Sequence, residues 1–384
     1  MTTSVTIPNV AGTNPLKGLL EYGQSPWMDY IRRDLLTGGG LKKMIEEDGL
    51  RGMTSNPSIF EKSIVGSTLY SDILNSPDAK SLDAKALFEK IAIRDVQDAC
   101  DIFKPIYKST RQRDGYVSLE VSPYLANDTK GTLEEARRLW KAVNRENLMI
   151  KVPGTPEGLP AIRQLLEEGL NINITLLFAQ STYEQVVEAF FAALEARVLK
   201  KLEVNHCASV ASFFVSRIDT LVDSKIEEKL KTATSPAKDL LTSLEGKVAI
   251  ANAKLTYKKY QELYNSARWK ALAAKGAQTQ RLLWASTSTK NPKYRDVLYV
   301  EELIGAETVD TIPPATFDAF REHGRLRNSL TEDVAGAAKT MENLAKAGIS
   351  MKEVTDKLLV DGVKLFADAF TTLLAATGKF AGVR

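Results

Sequence analysis

The 384-residue chain is 44% hydrophobic and 26% charged, which puts it among globular proteins and excludes disorder as the default. Its 51 Lys+Arg nearly cancel its 48 Asp+Glu, so no overall field favours a nucleic acid or an anionic membrane, and a phosphate ligand has to be held by local groups. Two histidines and two cysteines leave little material for a His-rich zinc site, a Ser-His-Asp triad or a disulfide framework, so catalysis has to rest on carboxylates, amides and lysines.

From the start of the chain, Met1–Lys17 has no basic head followed by an apolar core, and no stretch of about 18 apolar residues follows anywhere. A cytoplasmic protein is expected. Short runs with strand character then recur between longer helical stretches: Trp27–Tyr30, Leu50–Thr54, Tyr116–Val121, Leu148–Val152, Asn171–Leu177, Cys207–Phe213, Leu282–Ser286 and Val309–Ile312. This alternation predicts a parallel sheet covered by helices, and eight such segments predict a closed β/α barrel spanning 1–384 as one domain. Thr132–Val143, Pro160–Glu168 and Thr182–Lys200 are the expected outer helices, the first and third with acidic residues early and basic ones late. Pro57–Arg113 and Arg217–Gln280 are longer than a barrel unit needs and carry Ala, Lys, Glu and Leu at helical spacing, which predicts extra helices decorating the barrel. Beyond the last strand, Thr331–Ala347 and Met351–Thr377 read as amphipathic helices, the second with Val354, Leu358, Leu359, Val363, Leu365, Phe366 and Phe370 on or near one face. Both are expected to pack over the barrel.

In such a barrel the chemistry sits at the C-terminal ends of the strands, where this chain carries Asp29, Asn56, Glu120, Lys151, Asn173, Thr175, Ser212 and Ser286. Taken singly these residues are unspecific: a lone lysine snorkels or pairs, and a strand-end carboxylate is often a solvated cap. Their coincidence on several strands is the signal. Asn173 and Thr175 lie two apart and so share one face of a strand, while Ile172 and Ile174 take the other. An inward Lys151 between Ile150 and Val152 would lose solvation, which lowers an amine's pKa and frees it to attack a carbonyl. Nearby carboxylates could then move protons. Asn56, before Pro57, either donates to a substrate hydroxyl or braces the turn. Arg217 and Lys290 are suited to a phosphate, the first through two donors, the second as a point charge beside hydroxyls. No Walker A loop or dinucleotide fingerprint is present, so nucleotide cofactors are not indicated.

Six ordered motifs resemble the transaldolase family: Gln24-Ser-Pro-Trp-Met-Asp29, Thr54-Ser-Asn-Pro-Ser-Ile-Phe60, Ser118-Leu-Glu-Val-Ser122, Ile150-Lys-Val-Pro-Gly-Thr155, Asn171-Ile-Asn-Ile-Thr-Leu-Leu-Phe178 and Leu283-Trp-Ala-Ser-Thr287. The length and the wording from Trp284 to Pro292 are similar to the larger bacterial members, whose domain also occurs fused to glucose-6-phosphate isomerase. The resemblance implies a metal-free, cofactor-free (β/α)8 enzyme of the non-oxidative pentose phosphate pathway. It would move a dihydroxyacetone unit between sedoheptulose 7-phosphate or fructose 6-phosphate and erythrose 4-phosphate or glyceraldehyde 3-phosphate. By the same resemblance Lys151 forms the Schiff base and Asp29 is the acid/base at the C4 hydroxyl, while Glu120 acts through a water that Thr175 helps to place. Asn56, Asn173 and Ser212 hold or neighbour the three-carbon unit, and Arg217 binds phosphate with Ser286 and Lys290 close by. Lys290 falls where other members carry a second arginine, a departure in this chain. Sugar phosphates are then the partners, with neither nucleic acid nor membrane involved. Two other readings fit the same residues: an aldolase of the fructose-6-phosphate type that releases dihydroxyacetone to water, and a non-catalytic barrel that binds sugar phosphates.

Overall fold

Eight strands, each followed by helix, close into a parallel barrel in sequence order in the computed structural model, which describes residues 14–381. They are β1 (Gln24–Asp29), β2 (Gly52–Thr54), β3 (Tyr116–Glu120), β4 (Leu148–Pro153), β5 (Ile172–Leu177), β6 (Ser209–Phe214), β7 (Arg281–Ala285) and β8 (Thr308–Ile312). β8 pairs with β1 from Gln24 opposite Thr308 to Met28 opposite Ile312, which closes the ring and leaves no sheet edge. All eight predicted strands are present, displaced by a few residues at their ends. Among the described residues no helix is long and apolar enough to cross a membrane.

Side chains fill the barrel in layers, as the two-residue period of its strands requires. At the bottom, Arg281 donates to Ser25 Oγ at 2.7 Å and to Asp114 Oδ1 at 2.8 Å, and Ser25 donates to Asp114 Oδ2 at 3.0 Å. The next layer holds Trp27 against Tyr116, ring centroids 6.5 Å apart. Gly52 makes room for it, since a Cβ there would lie 2.4 Å from the Trp27 ring. Above these, Ser212 Oγ donates to Asn173 Oδ1 at 2.6 Å and Asn173 Nδ2 donates to Ser118 Oγ at 3.0 Å, a chain running from β6 to β3. The Arg281–Ser25–Asp114 and Ser212–Asn173–Ser118 groups are thereby paired within the barrel, as buried polar groups require.

The outer helices Thr129–Val143, Gly158–Glu168 and Gln180–Leu199 lie close to their predicted spans. All three begin two or three residues early, the first because Asp128 caps it by accepting from Gly131 N. Their acidic residues Glu134 and Glu184 therefore fall in the second turn and not the first. The Arg217–Gln280 stretch forms Ser216–Leu230, Ala237–Thr242, Val248–Tyr264 and Ala267–Ala273. Val248–Tyr264 packs on Gln180–Leu199, Ser216–Leu230 and Val334–Lys346, so this excursion thickens the helical ring.

The last helix, Met351–Gly378, behaves differently. It packs on Pro57–Ile64, Ala84–Ser109, Ser216–Leu230 and the end of β5, and so lies across the mouth. Phe370 anchors it between the rings of Phe88 and Tyr124. Gly362 sits over β5, where a Cβ would come to 3.0 Å from Leu176 Cδ2 and 3.6 Å from an Arg217 nitrogen. Leu176 itself has φ +61° at an irregularity in the β5–β6 pairing, a conformation that a branched residue keeps only when its surroundings impose it. One expectation for this helix fails: Leu365 is 49% exposed and not part of the apolar seam, because it lies one position from Phe366 and the helix turns it toward the cleft.

Candidate active site

The strand ends at the C-terminal face open into a cleft of about 780 Å³ bordered by Asp29, Asn56, Lys151, Thr175, Ser212, Arg217, Ser286 and Lys290. Eight of the ten predicted site residues thus border one cavity. Asn173 is fully buried beneath it, its amide engaged with Ser118 and Ser212, and Glu120 reaches it through Lys151.

Lys151 stands in register with Glu120 on one side and Asn173 on the other. Its sequence neighbours Ile150 and Val152 point outward into the helical layer, fully buried there, so the amine has quite different surroundings. The ammonium nitrogen lies 3.3 Å from Glu120 Oε2, donates to the Ser55 carbonyl at 3.2 Å, and faces the Phe366 ring at 5.8 Å from its centroid. Only 4% of Lys151 is exposed. Burial pushes the Glu120 carboxyl up to about 6, with Lys151 pulling it down and Asp29 adding to the rise. Thr175 Oγ1 is buried here without a hydrogen-bonding partner, and Glu120 Oε2 has the Lys151 ammonium beside it.

Asp29 ends β1, and its Oδ1 accepts from Thr54 Oγ1 at 2.9 Å across the β1–β2 pair. Asn56 follows β2 in extended conformation and caps the helix Pro57–Ile64, its Oδ1 accepting from Ile59 N at 3.0 Å. The turn-bracing role is therefore real, and it fixes the amide so that its nitrogen is the end left for a ligand. Ser286 follows β7 with φ +58° and shares a hydrogen bond with Ser216 across 2.9 Å, which ties the β7 loop to the helix that carries Arg217.

The Arg217 guanidinium is stacked 5.2 Å from the Phe214 centroid and 5.9 Å from that of Phe366, and among the described residues it has no carboxylate partner. Its donors are therefore held in place yet uncommitted. Burial lowers its pKa from the usual arginine value, with Asp29 acting in the opposite sense. Lys290 donates to Ser288 Oγ at 2.6 Å. The residues that sequence reasoning missed are Phe366, which roofs Lys151 and braces Arg217, Thr54, which holds Asp29, and Lys62 at the rim. Thr54 lay within a quoted motif, whereas Phe366 read as one more apolar residue of a helical seam.

Buried Asp310 on β8 is also notable: burial pushes its carboxyl up to about 8, the Thr287 hydroxyl holds Oδ1 at 3.0 Å, and Oδ2 has no partner. Both cysteines, Cys100 and Cys207, are buried and free. Among the described residues no group of three or more His, Cys, Asp or Glu side chains is arranged to hold a metal ion.

Comparison with known proteins gives a consistent picture. The family model described as Transaldolase/Fructose-6-phosphate aldolase matches residues 26–377. A transaldolase of Trichodesmium erythraeum is 48% identical over 365 residues, covering 94% of this chain and 96% of the relative. One from Thiobacillus denitrificans is 44% identical over 365 residues, 95% of this chain and all of the relative, and one from Acidothermus cellulolyticus is 44% identical over a similar span.

Proposed function

Since this chain belongs to the transaldolase/fructose-6-phosphate aldolase family and matches transaldolases over nearly its whole length, we propose that it carries out the transaldolase reaction through a Schiff base on Lys151. The observation that carries this reading is the amine of Lys151, almost wholly removed from solvent, 3.3 Å from one carboxylate and in the same cleft as a second. A buried amine beside a carboxylate has both the nucleophile and the proton acceptor that imine formation needs.

Lys151 attacks the C2 ketone of a ketose phosphate. The carbinolamine loses its hydroxyl as water, with Glu120 supplying the proton, and an iminium remains. Asp29 takes the proton of the C4 hydroxyl, the C3–C4 bond breaks, and its electron pair moves into the iminium to give an enamine while the aldose phosphate leaves. A second aldose phosphate enters, the enamine attacks its aldehyde, and Asp29 returns the proton to the new hydroxyl. Water activated by Glu120 then hydrolyses the imine. Glu120, ion-paired to Lys151, and Thr175, whose buried Oγ1 has no hydrogen-bonding partner, are suited to hold that water. The amide nitrogen of Asn56 binds the three-carbon unit, with Asn173 and Ser212 shaping the floor below, and Arg217, with Ser286 and Lys290, receives the phosphate. Residues 1–384 work as one unit on sugar phosphates in the cytoplasm, without nucleic acid.

Borohydride added with fructose 6-phosphate should inactivate the enzyme and leave a three-carbon adduct on Lys151. A peptide map that puts the adduct on another lysine would remove the central assignment. Product formation should also require an acceptor aldehyde; release of dihydroxyacetone without one would make the chain an aldolase.

A further inference from the structure

The cleft carries a third cation besides Arg217 and Lys290. Lys62, in the last turn of the helix Pro57–Ile64, borders the same cavity as Arg217 and Lys290, and each comes from a different element. Elsewhere the cations of this chain are commonly matched: Arg138 with Glu89, Arg145 with Asp101, Lys364 with Asp368. Among the described residues none of these three has a carboxylate within ion-pair distance, and Lys290 donates to the neutral Ser288 hydroxyl. Burial holds the Lys290 amine below its usual value, followed by repulsion from Arg217 and then from Lys62, with Asp29 acting in the opposite sense, so Lys290 feels both other cations. Asp368 borders the cleft already paired with Lys364, and Glu61 and Asp29 are the carboxylates that offset the field.

Like charges gathered in one cavity raise the energy of the empty site, and an entering dianion relieves it. The helix also has a suitable reach. Asn56 caps its start beside the floor of the cleft, and Lys62 lies six residues on, about 9 Å along the axis, so one rigid element has a polar group near each end of an extended sugar phosphate.

We propose that Lys62 is a third phosphate-binding cation, which holds the phosphate of the bound sugar from the side opposite Arg217 and Lys290. The assignment rests on the transaldolase reading of the cleft and adds a binding residue to it. A lysine in the last turn of a helix also favours the helix dipole. That role would change stability and leave phosphate dependence untouched, which makes the two separable.

The test uses Lys62→Ala, Lys62→Gln and Lys62→Arg in the full chain. Loss of one partly screened charge should raise KM for glyceraldehyde 3-phosphate, and the inhibition constant for inorganic phosphate, by about three- to tenfold. KM for unphosphorylated glyceraldehyde should not move, the difference should shrink at high salt, and Lys62→Arg should restore the parent values. Should Lys62→Ala lower Tm, the Gln variant keeps the measurement interpretable. An inhibition constant for phosphate that is unchanged in Lys62→Gln overturns the assignment. Dihydroxyacetone with borohydride reports separately on the Schiff base: no label on Lys151 in the parent overturns the underlying reading, whereas intact labelling with an unchanged phosphate constant overturns Lys62 alone.

Discussion

Asp29→Asn separates the two halves of the reaction. The amide oxygen of asparagine can still accept from Thr54 Oγ1, the 2.9 Å bond that fixes the side chain, so the fold and the position are kept. What disappears is the base that removes the C4 hydroxyl proton. Losing a general base costs about 10²- to 10⁴-fold in rate, or roughly 3–5 kcal/mol of transition-state stabilisation. Lys151 and Glu120, the groups needed to form the imine, are untouched. The variant should therefore load ketose but stall before C3–C4 cleavage. Borohydride quenching with fructose 6-phosphate, followed by mass analysis, should show the intact six-carbon phosphate adduct on Lys151 in the variant and the three-carbon adduct in the parent. A second readout comes from electrostatics: the Asp29 charge helps raise Glu120 to about 6, so the acid limb of imine formation should move to lower pH in the variant. Normal turnover, or a variant carrying only the three-carbon unit, would refute the role of Asp29 as cleavage base.

Three further outcomes are expected. Arg217→Ala should raise KM for phosphorylated substrates roughly ten- to hundredfold, the scale of lost hydrogen bonds to a charged group, and leave unphosphorylated ones nearly unchanged. Arg217→Lys should recover only part of this, because an ammonium lacks the planar fork that fits between Phe214 and Phe366; equal losses on both substrate types would make Arg217 structural. In steady-state profiles kcat/KM should fall as pH drops through about 6, where Glu120 takes up its proton, and a limb unchanged in Glu120→Gln would assign it elsewhere. Asp310→Asn concerns stability: with a carboxyl near 8 when folded and 3.8 when unfolded, the native state holds a proton that the unfolded chain lacks, so stability falls by up to about 1.4 kcal/mol per unit as pH rises through that window. The variant has no such proton, and its advantage in Tm should grow from pH 5 to pH 8; parallel curves would contradict the burial argument.

The barrel could be read from the chain because each strand is covered on both faces and so appears as a short apolar run between helices. β1 was the strand most displaced, beginning at Gln24 and not Trp27. Pro26 and two polar residues disguise its start, and they belong in the strand because of distant partners: Gln24 donates to Leu303 O and Thr308, and Ser25 joins Arg281 and Asp114. Motif residues at strand ends were visible for the same topological reason, with β1 to β7 each supplying at least one at or just after its end. Phe366 and Lys62 were not, because nothing local distinguishes an apolar residue in a helical seam, or a lysine in a final turn, from its neighbours. Nor could local pattern reveal the left-handed Leu176, which sits at the irregularity in the β5–β6 pairing.

The helix across the mouth also sets an order of events during synthesis. All eight strands precede this helix in the chain, and with them every group assigned a part in bond making and breaking. Phe366, which roofs Lys151 and steadies Arg217, belongs to a helix that begins only at Met351. Because translation proceeds from the N-terminus, a nascent chain can close its barrel while its lysine still faces open water. Roofing of the nucleophile thus comes after the last strand, and a chain truncated before Met351 would leave Lys151 without Phe366 above it.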